Sequence, residues 1–289
     1  MAALTAAPAR AWRSFATATW LGWQIESNWT SPVLFAIYSI VKPLSLAGIL
    51  VVMYAAVTRG NFESPLFAYM FLGNAFYMYV GAVMTGMAYA VVDDRERYQT
   101  LKGIYVAPID VRLYLIGRGV VRFLTGSASV AVTIAAGVVI LGLDLQWSRI
   151  DWGLLLASLT IGIVMLASLG LMLSSVMLLL PHHSWQVGEA VAGGLFLFSG
   201  AVFPLDVLPS ALRAVGYATP LTYWLELLRR AIAGQTAQAS PMLDRLDRGV
   251  LFAMLTGLTA VLAVLALGTF RWCDERARDH GLIDRTSNY

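Results

Sequence analysis

The chain has 289 residues, of which 58% are hydrophobic and 13% are charged, and its mean hydropathy is +0.70. A water-soluble domain usually carries about 25% charged residues, so this composition excludes an ordinary soluble protein and indicates a lipid bilayer. Lys and Arg exceed Asp and Glu by 20 to 17, an excess too small to indicate a nucleic-acid partner.

The first 32 residues precede any membrane-length apolar stretch and carry aromatic residues at helical spacing. Trp12, Phe15, Ala16, Thr19 and Trp23 fall on one face of a helix. That pattern predicts an N-terminal helix lying flat in the cytoplasmic interface of the membrane. A disordered leader is the alternative.

Six later stretches are long and apolar enough to cross a bilayer, because a spanning helix needs about 20 mainly apolar residues. They cover residues 33–57, 66–92, 113–143, 152–180, 187–207 and 250–272. The sequence therefore predicts an all-α integral membrane protein with a six-span permease domain over 33–272. Residues 273–289 are predicted to form a cytoplasmic tail.

Basic residues near the ends of the spans predict the orientation, since Lys and Arg are retained on the cytoplasmic side. They are concentrated at the N-terminus, between spans two and three, and in the C-terminal tail. We therefore expect both termini to be cytoplasmic and the chain to lie in a bacterial inner membrane. The connection between spans five and six is also rich in arginine, although this topology places it outside.

The connection between spans two and three, residues 93–108, reads DDRERYQTLKGIYVAP. Its acidic start suits a helix N-terminus, and Pro108 ends or bends the helix at its other end. The pattern predicts a short exposed helix. The alternative is a solvated loop whose charges only fix the topology.

The segment 198–230 contains three prolines, at positions 204, 209 and 220. Proline lacks the N–H donor and clashes with the preceding turn, so one unbroken helix is excluded. Residues 210–217 and 221–233 are each too short to cross but apolar enough to enter the membrane. They are predicted to be re-entrant outer helices between spans five and six.

The connection over 93–108 resembles the one between spans two and three in permeases of type-2 ATP-binding-cassette exporters. Glu96, Thr100, Leu101 and Pro108 match that family's pattern, whereas Gln99 stands where glycine is usual. The resemblance implies that this segment is a coupling helix, which docks into a cleft of an ATPase subunit. Glu96, Arg97, Thr100 and Leu101 are then the candidates for that contact.

The segment over 198–230 resembles a second, more specific signature of the same family, which comes after the fifth span. The matching residues are Ser199, Gly200, Phe203, Pro204, Leu208, Pro209, Pro220, Leu221, Thr222 and Tyr223. The resemblance implies short extracellular helices that close the outer gate. Glu226 and Arg229 have the spacing of a helical ion pair there. We expect structural roles for most of these residues and assign a substrate contact to none.

Two residues inside the spans are candidates for the translocation path. Lys42 lies about ten residues into the first span, where a charge costs about 3 kcal/mol on insertion scales; it either snorkels or pairs structurally, or faces the path. Tyr77 belongs to an aromatic-rich second span, whose rings either line a path or pack between helices. Glu189, near the inner end of the fifth span, is open to the same alternatives as Lys42.

The sequence predicts that this chain has no catalytic residues, cofactor or metal of its own. An ATPase phosphate loop needs a lysine directly after glycine, but Lys42 follows valine and Lys102 follows leucine. ATP and Mg²⁺ are then bound by a partner ATPase. His182 and His183 have no metal-ligand spacing around them and are interpreted as a solvated turn.

By the resemblance, two permease chains, forming a homodimer or a heterodimer, assemble with two ATPase subunits in membrane lipid. We expect export of a lipophilic drug or lipid-like compound, with a lipid-linked polysaccharide as the alternative cargo. An ion-coupled secondary transporter should show acidic residues in mid-span or inverted repeats, and we find neither. An intramembrane enzyme lacks a credible nucleophile and base.

Overall fold

The computed structural model describes residues 2–28, 31–143, 145, 149–180, 184–234, 237 and 239–283. Within these ranges every regular element is a helix. The helices are α1 (Ala2–Asn28), α2 (Pro32–Thr58), α3 (Pro65–Tyr79), α4 (Gly86–Val92), α5 (Leu101–Val106), α6 (Val111–Leu141), α7 (Trp152–Leu179), α8 (Ser184–Phe198), α9 (Ser210–Ala218), α10 (Pro220–Ala233), α11 (Pro241–Asp244) and α12 (Arg248–Asp279).

The π-helical segment Val80–Thr85 joins α3 to α4, and a second one, Asp93–Arg97, extends α4, so that Pro65–Arg97 is one continuous helix. In the most apolar part of this central helix 67% of the residues are buried, against 22% in each of α2, α6 and α12. The central helix therefore forms the core of the bundle. We call the end of the bundle that carries residues 93–110 the near end, and the end that carries residues 199–234 and 239–247 the far end.

Among the described residues, five helices are long and apolar enough to cross a membrane: α2, the central helix, α6, α7 and α12. They match five of the six predicted spans to within a few residues, except that α12 continues to Asp279. The extension is stabilised by an ion pair one helical turn apart, in which Arg278 lies 3.0 Å from Asp274. The predicted cytoplasmic tail therefore begins as helix rather than as a separate segment.

The predicted fifth span, 187–207, is not a single helix. Helix α8 ends at Phe198, and Gly200 lies just beyond it with a φ of +69°, a left-handed conformation that glycine adopts without steric cost. Pro204 then leads into a short 3-10 turn at Leu205–Val207. The 15 residues of α8 extend about 22 Å, less than the hydrocarbon thickness of about 30 Å.

Helix α1 packs along the first half of α6 through small residues. Gly117 of α6 lies against Ala18 and the main chain of Phe15, where an added Cβ would come within 2.9 Å of both. Arg122 of α6 forms an ion pair of 2.9 Å with Glu26. Of the predicted aromatic face, Trp12, Ala16 and Trp23 are exposed, whereas Phe15 and Thr19 are half-buried beside α6.

Candidate functional site

At the near end, the central helix is anchored by a buried arginine. The Arg95 guanidinium donates to the main-chain oxygens of Met177 at 3.1 Å and Leu180 at 2.8 Å, at the end of α7. These carbonyls have no partner within their own helix, so the arginine both satisfies them and joins two helix ends. Its Nε–H also donates to Glu96 at 3.0 Å.

Asp94 forms a second anchor beside the first. Its carboxylate accepts a hydrogen bond of 2.8 Å from the Tyr114 hydroxyl and lies 3.4 Å from Arg118 on α6. The Asp94 and Arg118 side chains are both buried. The main-chain oxygen of Asp94 accepts from the Thr100 N–H at 2.8 Å, which fixes the turn between the central helix and α5.

The five predicted coupling residues separate into exposed and buried positions. Arg97, Thr100 and Pro108 are exposed, whereas Leu101 is 3% exposed and packs into the core. Glu96 is only 22% exposed and is paired with Arg95. Leu101 and Glu96 therefore position this segment within the permease, and the exposed residues form its outer surface. Of the helix predicted within 93–108, α5 forms only Leu101–Val106, just before Pro108. The acidic start, predicted to begin this helix, belongs instead to Asp93–Arg97 at the end of the central helix.

The backbone conformation at Gln99 explains why glycine is usual at this position in the family that the segment resembles. Its φ is +53°, in the left-handed region where a side chain is strained and glycine is not. The turn therefore forms here despite an unfavourable residue.

A tyrosine tethers α5 to the near end of α12. The Tyr105 hydroxyl donates to Asp274 Oδ1 at 2.7 Å, and the Arg278 guanidinium lies 4.9 Å from the centre of the Tyr105 ring. Burial, and secondarily the hydrogen bond to Asp274, raises the pKa of the Tyr105 hydroxyl above its usual value. No local pattern in the sequence indicates this contact, because its partners lie 169 positions apart.

At the far end, α9 and α10 form the two predicted short helices, and Pro220 is the first residue of α10. Gly200 and Pro204 are buried in the break after α8, Phe203 is half-buried, and Pro209 is exposed before α9. The hydroxyl of Tyr223 donates to the main-chain oxygen of Tyr217 at 2.9 Å, which ties α10 to α9.

Helix α10 is buried over almost its whole length, including its charged residues. The Trp224 N–H donates to the main-chain oxygen of Ser158 on α7 at 2.9 Å. Its ring lies over Gly162, where an added Cβ would overlap the indole nitrogen. This close approach requires glycine at that position.

The predicted pair of Glu226 and Arg229 is present at 3.8 Å, but Glu226 has a closer partner that sequence analysis missed. The Arg230 Nε–H donates to Glu226 Oε1 at 2.8 Å. Arg230 also donates to the main-chain oxygens of Leu243 at 2.6 Å and Leu246 at 2.8 Å. The spacing of four residues is as favourable for a helical pair as the predicted three.

Arg229 instead stabilises the break after α8. It donates to the main-chain oxygens of Gly200 at 2.7 Å, Ala201 at 3.0 Å and Tyr69 at 3.1 Å. Since its side chain is buried, these charge-assisted bonds compensate its loss of hydration. Arg229 thus joins α10, the break and the central helix.

The two predicted pathway residues lie in different surroundings. Tyr77 is buried, donates to the main-chain oxygen of Ala192 at 2.5 Å, and packs edge-on against Phe196 of α8. Lys42 is exposed on α2.

Glu189 accepts a hydrogen bond of 2.9 Å from the Tyr89 hydroxyl. His182 and His183 lie outside the described residues.

A bundle of membrane-length helices with an anchored charged turn at one end and buried short helices at the other is typical of a multi-pass membrane protein. The family model described as ABC-2 type transporter matches residues 14–233. The chain belongs to this family, as its two motifs predicted, and is the membrane subunit of a transporter that associates with an ABC ATPase. Among curated proteins, none matches the chain.

Proposed function

We propose that this chain forms the translocation pathway of an exporter in the bacterial inner membrane, driven by a separate ATPase. In this proposal two permease chains, identical or paralogous, assemble with two ATPase subunits. The chain crosses the membrane six times with both termini and the near end in the cytoplasm. ATP and Mg²⁺ are bound by the partner, because neither lysine of this chain follows a glycine as a phosphate loop requires.

The observation that carries the proposal is the contrast between anchored and exposed residues at the near end. Arg97 and Thr100 are exposed, while the adjacent Arg95 and Leu101 are buried in the permease. A docking surface must be accessible, and it transmits force only if it is rigidly attached to the spans. The segment over 93–106 satisfies both requirements.

Docking is tested by purifying the tagged chain from its native membrane and measuring the ATPase that accompanies it. We expect Arg97→Glu to reduce the recovered ATPase by about ten-fold, as loss of roughly 1.4 kcal/mol of binding free energy implies. Arg59→Glu is the control, since Arg59 is also exposed but lies at the opposite end of the bundle. Equal recovery with both variants contradicts docking at this surface.

The six-span topology is tested by labelling single added cysteines, because the native Cys273 is buried. Arg97→Cys and Val207→Cys place a thiol at an exposed near-end and an exposed far-end position. In intact cells a membrane-impermeant maleimide should label only the far-end cysteine. If both cysteines are labelled from the same side, α8 and the break after it do not cross the membrane.

We propose that α9, α10 and the break after α8 close the outer side of the pathway.

We also propose that the cargo is a lipophilic drug or lipid-like compound. The support is a charge on an exposed helix face: Lys42 lies about ten residues into α2 and would be costly against lipid. Tyr77 is assigned a packing role instead.

Cargo recognition is tested in proteoliposomes that contain the co-purified complex. We expect ATP-dependent movement of a fluorescent anionic lipid, and a larger loss with Lys42→Gln for the anionic lipid than for a neutral analogue. An equal loss of transport for the anionic and the neutral lipid means that Lys42 does not lie on the path. Lipid movement without nucleotide contradicts an ATP-driven exporter.

A further inference from the structure

Helix α12 contacts both functional regions. Its 32 residues, Arg248–Asp279, extend about 48 Å at 1.5 Å per residue. The helix contains no proline and is continuous over this length. It packs along α7 and, at the far end, against α10.

At the near end, Asp274 of α12 is shared by two partners. One carboxylate oxygen accepts from the Tyr105 hydroxyl of α5 at 2.7 Å, and the other lies 3.0 Å from Arg278. The Asp274 side chain is only 17% exposed, so the bond from Tyr105 is a charge-assisted contact shielded from water. The neighbouring Ala277 and Phe270 are buried, which holds this end of α12 in place.

At the far end, the residues that lead into α12 are held by α10. Arg230 donates to the main-chain oxygens of Leu243 and Leu246, two to five positions before the helix begins. Inside α12, Leu251 and Leu255 are fully buried. A shift of α12 along or about its axis therefore changes contacts with α10.

We propose that α12 carries the movement of α5 to the far-end helices, and that Tyr105 and Asp274 are the positioning residues that couple α5 to it. The proposal rests on the proposed function, in which the ATPase docks beside α5. Helices move as rigid bodies, and packed interfaces exchange between discrete arrangements. The Tyr105 to Asp274 bond makes α5 and α12 move together at the near end.

The experiment uses the reconstituted complex and two readouts, the cargo moved per ATP hydrolysed and a fluorophore on Val207→Cys at the exposed far end. Tyr105→Phe removes one hydroxyl. We expect ATPase recovery and hydrolysis within about two-fold of wild type, a loss of cargo per ATP of about five-fold, and loss of the nucleotide-dependent fluorescence change. Tyr79→Phe is the matched control and should change neither readout, because it also removes one hydroxyl from a bond between two helices, Tyr79 to Ser127 at 2.9 Å, but lies outside the docking segment.

Substitutions at Asp274 test the same bond from its other partner. Asp274→Asn keeps an oxygen that accepts from Tyr105 and should retain most of the coupling, whereas Asp274→Ala should behave like Tyr105→Phe. Each variant is first checked for a monodisperse profile on size exclusion. Normal cargo per ATP and a normal fluorescence change in Tyr105→Phe and Asp274→Ala overturn the proposal.

The outcome separates this inference from the proposed function. If the wild-type chain recovers no ATPase or shows no nucleotide-dependent transport, the proposed function fails and the inference fails with it. If wild type transports normally and the Tyr105 and Asp274 variants do so as well, only the role of α12 is rejected.

Discussion

The guanidinium carbon of Arg229 lies 3.6 Å from the centre of the Tyr69 ring, and its Nε–H donates to the main-chain oxygen of the same tyrosine. Arg229 therefore holds the central helix by both ring and backbone while its remaining donors bind Gly200 and Ala201. A planar guanidinium suits this arrangement, because it presents several donors and can stack on an aromatic face.

Arg229→Lys should destabilise the protein by about 2–4 kcal/mol, since an ammonium cannot replace all three carbonyl contacts and buried acceptors lose their partners. Thermal unfolding in detergent, followed by tryptophan fluorescence, measures the change. Arg248→Lys is the control because Arg248 is 56% exposed in its ion pair with Asp151. The interpretation is wrong if the two lysine variants unfold at the same temperature.

Gly73→Ala should destabilise the same far-end contact. An added Cβ at Gly73 would overlap both the main-chain oxygen of Ala201 and the Arg229 guanidinium. Backbone must shift to relieve this overlap, at a cost of about 1–3 kcal/mol. Gly81→Ala is the matched control on the same central helix, since nothing lies within 4 Å of its added Cβ. Thermal midpoints should fall for Gly73→Ala alone.

Gln99→Gly should stabilise the turn before α5. A non-glycine residue in the left-handed region costs about 1–2 kcal/mol, and the greater freedom of glycine in the unfolded chain offsets part of that gain. We expect a net gain of about 0.5 kcal/mol, measured as a higher thermal midpoint. Gln99→Ala keeps the strain and should show no gain; a matching rise with alanine would rule out the backbone explanation.

Substitution by glutamine should lower the stability of the protein at Arg95, but should weaken ATPase recovery at Arg97. Arg95→Gln removes charged donors from the last carbonyls of α7 and should cost about 1–3 kcal/mol of stability. Arg97→Gln alters an exposed side chain and should stay within about 0.5 kcal/mol of wild type, while weakening ATPase recovery. Chemical unfolding of both variants, together with ATPase recovery, measures the two effects; a reversed pattern contradicts the anchored turn.

Much of the architecture followed from local signals. Apolar stretches of membrane length predicted five of the observed helices, and the prolines at 204, 209 and 220 predicted the breaks between α8, α9 and α10. Proline restricts its own backbone wherever the chain goes, so such breaks need no tertiary information. The same holds for the end of α5 before Pro108.

The details of packing were not readable from the sequence. Leu101, one of the candidates for the docking contact, is buried in the core. Sequence reasoning predicted the pair of Glu226 and Arg229, which is present at 3.8 Å, but it missed the closer partner Arg230, because spacings of three and four are nearly equivalent on a helix. It also extended the fifth span beyond Phe198, since hydropathy alone does not register the left-handed turn at Gly200.

By itself, the sequence determined the membrane class, the helical architecture and the two segments that carry the family's motifs, because hydropathy and proline act on neighbouring residues. Only the tertiary structure decided which charged residues are anchors and which are exposed, and that Tyr105 meets Asp274 across 169 positions. The physical reason is that a buried charge must find donors or acceptors wherever the packed helices supply them, and spacing along the chain does not specify that packing.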